Sequence, residues 1–302
     1  MKKHLFLSLF CILFGSIFIA NAATDPIEQS KNPSQEIATS ASIDLMTMSR
    51  DAHCKQVLVT CLVNGVPMRM MLDTGATHTV LHDESVAKLK DVRWLDTSRM
   101  KFKSNSTQIP KILIADLQVG PGVSPQHPVI VVSLAAVRSM MAEKIDGIVG
   151  MDILNSLPFT FDLRKNECYW GLPAEGAIVP LRGERDPNGR LKIQVKSGEK
   201  TFALLLDTGS SVTRVPVSAW APGAAGEITA QIGDVDTASR QKMIAGKPGQ
   251  LEVAPGVFLK KFEPLLCESE DLTMLGMDAL EDCVLIHLPS ENATFGTFYL
   301  MR

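Results

Sequence analysis

From Val57 onward the chain is a succession of short apolar runs separated by turn residues. Val57–Val63 forms one such run, Asn64-Gly65 follows as a two-residue hairpin signal, and Met68–Leu72 is the returning run. Runs of this length, rich in β-branched residues and punctuated by Asn-Gly, predict paired strands. The pattern recurs as Leu191–Val195, a turn at Ser197-Gly198, and Thr201–Leu206. Helical signals are few: Asp83–Leu89 behind an acidic start, and Leu134–Glu143. The chain therefore reads as mainly β, with a small helix or two per lobe. Residues 23–50 are polar and unpatterned; they lack the apolar surface that offsets ordering entropy and read as a flexible leader.

An internal repeat organises the rest. Met70-Met71-Leu72-Asp73-Thr74-Gly75 matches Leu204-Leu205-Leu206-Asp207-Thr208-Gly209, 134 residues later. Leu117–Val123 matches Leu251–Val257 at the same offset, and Ile148-Val149-Gly150-Met151-Asp152 matches Met274-Leu275-Gly276-Met277-Asp278. Landmarks in one order, at a period too long for a solenoid, indicate a duplicated domain. The polar, turn-rich stretch 182–189 separates a lobe over residues 51–181 from a lobe over residues 190–302.

Composition narrows the class. The chain has 302 residues, 45% hydrophobic and 21% charged, which suits two globular units. Lys plus Arg number 30 against 33 Asp plus Glu, so no basic excess exists to follow a phosphate backbone, and nucleic acid is not an expected partner. Lys2 and Lys3, an apolar stretch from Leu5 to Ala20, and Ala20-Asn21-Ala22 together read as an export signal over residues 1–22, cleaved after Ala22. The competing reading is an uncleaved membrane anchor. With the signal removed, the expectation is a periplasmic or secreted protein without stable membrane insertion. Cys54, Cys61, Cys168, Cys267 and Cys283 then remain, enough for at most two bridges. No C-x-x-C spacing occurs, and small buried hydrophobes are the plainer reading of these cysteines.

The chemistry-bearing feature is an Asp delivered by an apolar strand and followed by Thr-Gly, twice. A buried strand fixes the carboxylate, Gly lets the chain turn so that backbone N–H groups approach the Asp oxygens, and the Thr hydroxyl can bond across to the partner loop. The candidate catalytic residues are Asp73 and Asp207. Thr74, Gly75, Ala76, Thr208, Gly209 and Ser210 are the residues that shape and support their loops.

These residues carry a resemblance to the aspartic peptidases. Asp73-Thr74-Gly75-Ala76 and Asp207-Thr208-Gly209-Ser210, with Ile148-Val149-Gly150 and Met274-Leu275-Gly276 as second signatures, are similar to that clan's motifs. The first half looks like bacterial retropepsin-like peptidases and the second is closer to pepsin-type loops. Both in one chain resemble the bilobal pepsin-like layout. The resemblance implies two homologous acid-protease-type β-barrel lobes with a cleft between them, active as a monomer. It also implies an aspartic endopeptidase acting on extended protein or peptide substrates through a two-Asp dyad and an activated water, with no metal or other cofactor. A non-catalytic peptide-binding protein on the same fold is the alternative; retention of both Asp residues argues against it. Pepsin-like enzymes carry a flap Tyr in the first lobe, whereas this chain has only Tyr169 and Tyr299. Lys103-Ser104-Asn105-Ser106 is the candidate flap instead, with a second-lobe counterpart near Ala245–Gly249.

Other residues read more plainly. His78 and His82 are four apart but need not share a face, so no metal site is expected. Arg214 could touch substrate, though a surface salt bridge is the commoner outcome. Asp152 and Asp278 read as structural caps. Ser210, where the first loop has Ala76, could donate a hydrogen bond to Asp207 and make it the more readily ionised member of the pair.

Overall fold

The computed structural model describes residues 8–10, 46–90, 92–101, 106–173, 178–233, 238–269, 272–290 and 295–301. Its architecture is mainly β, as the alternating pattern predicts. In the first lobe, Val57–Val63 and Val66–Leu72 form the hairpin around Asn64-Gly65, both of which have positive φ. Val66–Leu72 runs parallel to Gly147–Val149, which pairs with Val80–His82, then Gly122–Val132, then Ser106–Val119. Ser106–Val119 returns to Val57–Val63 through Cys61↔Val119, which closes a six-stranded barrel. Closure leaves these strands buried, and Val57–Val63 is mostly inaccessible on both faces.

The second lobe repeats the plan with an interruption. Leu191–Ser197 and Lys200–Leu206 form the matching hairpin, and Lys200–Leu206 runs parallel to Met274–Leu275. The long strand Ser106–Val119 is represented here by two pieces, Ala238–Gly246 and Glu252–Ala254, separated by a segment containing Pro248. Pro248 cannot donate to a ladder, but Pro110 inside the unbroken strand Ser106–Val119 shows that a proline alone does not cause the break. Lys196↔Glu252 nevertheless reproduces the pairing of Leu62 with Gln118 in the first lobe. Ser8–Phe10 adds a parallel strand alongside Ala224–Gly233.

A five-stranded sheet ties the lobes together. Phe159–Asp162 pairs with Glu167–Trp170 on one side and Val284–Leu288 on the other, with Phe159 opposite His287 and Phe161 opposite Leu285. Thr297–Met301 and Val179–Pro180 complete it. One apolar core runs from Val57 and Leu72 through Phe159, Phe161 and Phe298 to Leu191 and Leu206. His287 lies inside it, stacked on Phe159 at 5.0 Å, with Nδ1 bonded to the Leu157 carbonyl at 2.8 Å.

The helices are single turns: Asp83–Val86 and Ala135–Arg138 within the two predicted segments, and Met151–Leu154 and Met277–Leu280 directly after Gly150 and Gly276. Among the described residues no disulfide forms, and all five cysteines but Cys168 are buried. Burial pushes the Cys168 thiol up to about 12, so it stays protonated near neutral pH. Among the described residues no helix is long and apolar enough to cross a membrane.

Candidate active site

Each candidate Asp is set by two strands running side by side. Leu72 lies beside Val149 in parallel register, and the Asp73 N–H donates to the Val149 carbonyl at 3.0 Å. Leu206 lies beside Leu275, and the Asp207 N–H donates to the Leu275 carbonyl at 3.1 Å. The glycine ending each second signature has a steric reason. A Cβ on Gly150 would meet His78 backbone atoms at 2.6–2.9 Å, and one on Gly276 would meet Val212 backbone atoms at the same distances. The signature strand thus crosses directly over the loop that leaves the Asp, and only Gly permits that approach.

Asp152 and Asp278 lock this crossing. Asp152 accepts from the Thr79 N–H and hydroxyl, both at 2.8 Å; Asp278 accepts from the Thr213 N–H at 2.8 Å and hydroxyl at 2.6 Å. The same hydroxyls accept from the Gly150 and Gly276 N–H groups. Burial raises Asp278 to about 6, partly offset by its Thr213 bonds. These aspartates brace the loops and belong to the structure of the site.

The two loops then grip each other. The Thr74 hydroxyl donates to the Leu206 carbonyl at 2.8 Å and accepts from the Thr208 N–H at 3.1 Å. The Thr208 hydroxyl donates to the Leu72 carbonyl at 2.9 Å and accepts from the Thr74 N–H at 3.1 Å. All four bonds are buried and related by the pseudo-twofold of the repeat. Each brings one loop against the other lobe's carboxylate. A Cβ on Gly75 would lie 2.5 Å from Asp207 Cγ, and one on Gly209 would lie 2.4 Å from Asp73 Cγ.

Both carboxyls are buried. Asp73 Oδ1 accepts from the Gly75 N–H at 2.7 Å and the Ala76 N–H at 3.1 Å, while Asp73 Oδ2 and Asp207 Oδ2 have no hydrogen-bond partner. Burial holds the proton on both groups above the usual carboxylate range, and for Asp207 the negative charge of Asp73 adds to it. Backbone N–H groups of the loops work against this. Two carboxyls placed this close disfavour double ionisation, a behaviour for which the acid-protease pair is itself the standard illustration.

The structure corrects two expectations here. The Ser210 hydroxyl donates to the Val212 carbonyl at 2.9 Å, so it is committed within its own loop and does not reach Asp207; Ser210 supports the dyad through its backbone. Arg214 makes no surface salt bridge. It is 2% exposed, on the strand Arg214–Pro216 that leaves the second loop. His78 and His82 have separate partners, Thr77 and the Leu134 N–H. Among the described residues no group of three or more His, Cys, Asp or Glu could hold a metal ion.

The flap assignments fare differently. Lys103, Ser104 and Asn105 lie outside the described residues; Ser106 opens the strand Ser106–Val119, which forms a hairpin with Arg93–Lys101. In the second lobe the equivalent hairpin is Ala224–Gly233 with Ala238–Gly246. The predicted counterpart at Ala245–Gly249 is therefore the base of that hairpin, not its tip: Lys247 exchanges bonds with Gly223 and Trp220 there. Tyr169 and Tyr299 both belong to the interlobe sheet.

Two residues that the sequence reading passed over hold the loops from the opposite lobe. Gln56 Nε2 donates to the Gly209 carbonyl at 3.1 Å, and Arg190 Nη1 donates to the Gly75 carbonyl at 3.3 Å. They stand 134 residues apart, each immediately before the first strand of its lobe. The repeat offset was the signal that could have found them, but Gln and Arg share no pattern that draws attention.

Residues 59–156 match the family model described as gag-polyprotein putative aspartyl protease. The matched span contains the first Asp loop and its crossing signature and ends ahead of the interlobe strand Phe159–Asp162. No curated protein matches the chain.

Proposed function

We propose that this chain, whose residues 59–156 match an aspartyl protease family model, is an exported endopeptidase that uses Asp73 and Asp207 together. The observation that carries the reading is the reciprocal Thr74–Thr208 grip, which sets each loop's glycine against the other lobe's carboxylate. In this mechanism the ionised member of the pair acts as general base on a water. The protonated member donates to the scissile carbonyl oxygen as the water oxygen bonds the carbonyl carbon; when the C–N bond breaks, the proton taken from the water passes to the departing amine and the diol returns its proton to the carboxylate pair. The substrate lies extended between the lobes, its backbone pairing with strand edges of the hairpins. Because residues 51–181 and 190–302 supply one Asp each, a single chain completes the site and the enzyme works as a monomer. Residues 1–22 act as the export signal, and Ser8–Phe10 leaves with it, so the mature chain acts in the periplasm or outside the cell.

The test is incubation of the purified mature chain with denatured casein across pH 3–8, with and without pepstatin. Pepstatin-sensitive fragments are the expected result. Binding of casein without cleavage at any pH would instead identify a peptide-binding protein on this fold.

A further inference from the structure

The lobes repeat the apolar surface beside their catalytic loops as well as the loops themselves. In the first lobe Met71, Ala76, Val80, Ile109, Ile130 and Ile148 belong to one buried cluster. Strand register identifies the counterparts. Met71 lies beside Ile148 as Leu205 lies beside Met274; Val80 lies beside Ile130 as Arg214 lies beside Leu265. Val80 also faces Ile148, and Arg214 faces Met274. In the second lobe the cluster is split, with Leu205 and Met274 in one group, and Val212 and Leu265 in another. Arg214 pairs with both groups and stands where the first lobe has Val80.

This guanidinium is buried, and its Nε and Nη2 have no hydrogen-bond partner. Val215, the next residue, joins the main core, so strand alternation turns Arg214 to the opposite face, which in the first lobe carries the cluster of Val80, Ile148 and Ala76, whose N–H donates to Asp73 Oδ1 at 3.1 Å. Arg remains charged at every working pH. A buried guanidinium with two of its three nitrogens unpartnered is costly unless a bound anion completes it, and the forked donors of Arg fit a carboxylate. We infer that Arg214 is a specificity-determining residue, receiving the side-chain carboxylate of an Asp or Glu next to the scissile bond. The inference rests on the endopeptidase reading above. It makes the two lobes differ at one matched position: apolar at Val80, anion-selective at Arg214.

The test uses peptides acetylated and amidated at their ends, so that the only carboxylate is the varied side chain. Glu, Gln or Leu is placed in turn at each position flanking the cleaved bond. At one position kcat/KM at pH 6 should be at least about tenfold higher for Glu than for Gln, because a site built to bond a group rejects the analogue lacking it. That ratio should fall toward one as the pH drops below about 4.3 and the Glu side chain takes up its proton. Arg214→Val, which installs the first-lobe residue, should favour Leu over Glu. Arg214→Lys, which keeps the charge without the fork, should retain a reduced Glu preference, and it serves if the Val variant fails to fold by circular dichroism. A wild-type Glu/Gln ratio near one at every position, with cleavage intact, would overturn the assignment of Arg214 alone. So would a tenfold Glu preference that survives in Arg214→Val. No cleavage of any peptide or of casein would remove the endopeptidase reading itself.

Discussion

The two lobes are alike where backbone meets carboxylate and unlike one side chain further out. Asp73 and Asp207, Thr74 and Thr208, Gly150 and Gly276, and Asp152 and Asp278 occupy matching positions and make matching bonds. Around them, Val80 is answered by Arg214, Ala76 by Ser210 and Gln56 by Arg190. Among the described residues the α-helical turn Ala135–Arg138 has no α-helical counterpart between Leu265–Cys267 and Met274–Leu275. A two-carboxylate mechanism needs equality only where the proton is shared. Beyond that radius the lobes are free to differ.

The strongest test of equality is at the dyad. Asp73→Asn and Asp207→Asn should each lower kcat/KM by about 10³-fold or more, since one carboxyl cannot serve as both acid and base. Circular dichroism should show both variants folded. Activity within a few-fold of wild type in either variant would break the symmetry on which the site is built.

The grip is next in size. Thr74→Val and Thr208→Val each remove a buried hydroxyl that makes two bonds and leave a partner N–H unsatisfied. Each should destabilise the protein by about 2–3 kcal/mol in urea unfolding. Equal losses sharpen the comparison; a loss confined to one lobe would show that the reciprocal bonds are not equivalent in solution.

The interlobe sheet supplies a pH test. Burial lowers His287 to about 4, although its bond to the Leu157 carbonyl and the nearby Arg185 charge also act on it. A depressed histidine pKa means that the native state prefers the neutral ring. The corresponding stability is fully present above the unfolded value of about 6.5 and is lost as pH falls toward 4. Between pH 6.5 and 4.5 this loss amounts to about 2 kcal/mol. In His287→Phe the melting temperature should therefore fall less across that interval than in wild type. Parallel falls in the two proteins would show that the ring does not titrate between the lobes. The dyad and Asp278 act with the opposite sign. Their raised pKa values favour the native state at low pH and withdraw that support as pH rises toward 6 and above.

The smallest effect expected is at the loop difference Ala76/Ser210. The Ser210 hydroxyl bonds the Val212 carbonyl. Ser210→Ala should therefore cost about 1 kcal/mol of stability and leave the acid limb of kcat/KM in place. A shift of that limb would mean that the hydroxyl reaches the dyad after all.

Much of the site was legible because its information is local. An apolar strand ending in Asp-Thr-Gly, repeated at a fixed offset with an apolar-apolar-Gly segment after it, encodes a short buried strand, a tight loop and a close crossing. Each of these depends on residues adjacent in the chain. The hairpin at Asn64-Gly65 is legible for the same reason. The helices were located but overextended, because an acidic start marks where a turn begins while packing decides how far it continues.

What the sequence by itself determined is the pair of carboxylates, the loops that carry them and the duplicated β plan. Only the tertiary structure decided the closure of the first barrel through Cys61 and Val119, the joining of the lobes through Phe159 and His287, and the reach of Gln56 and Arg190 across to the opposite loop. It also decided that the Ser210 hydroxyl turns away from Asp207 and that Arg214 is buried where a surface charge was expected. Such outcomes depend on which strands meet after long stretches of intervening chain and on which face each side chain then presents. A residue's type constrains neither until the barrel has closed around it.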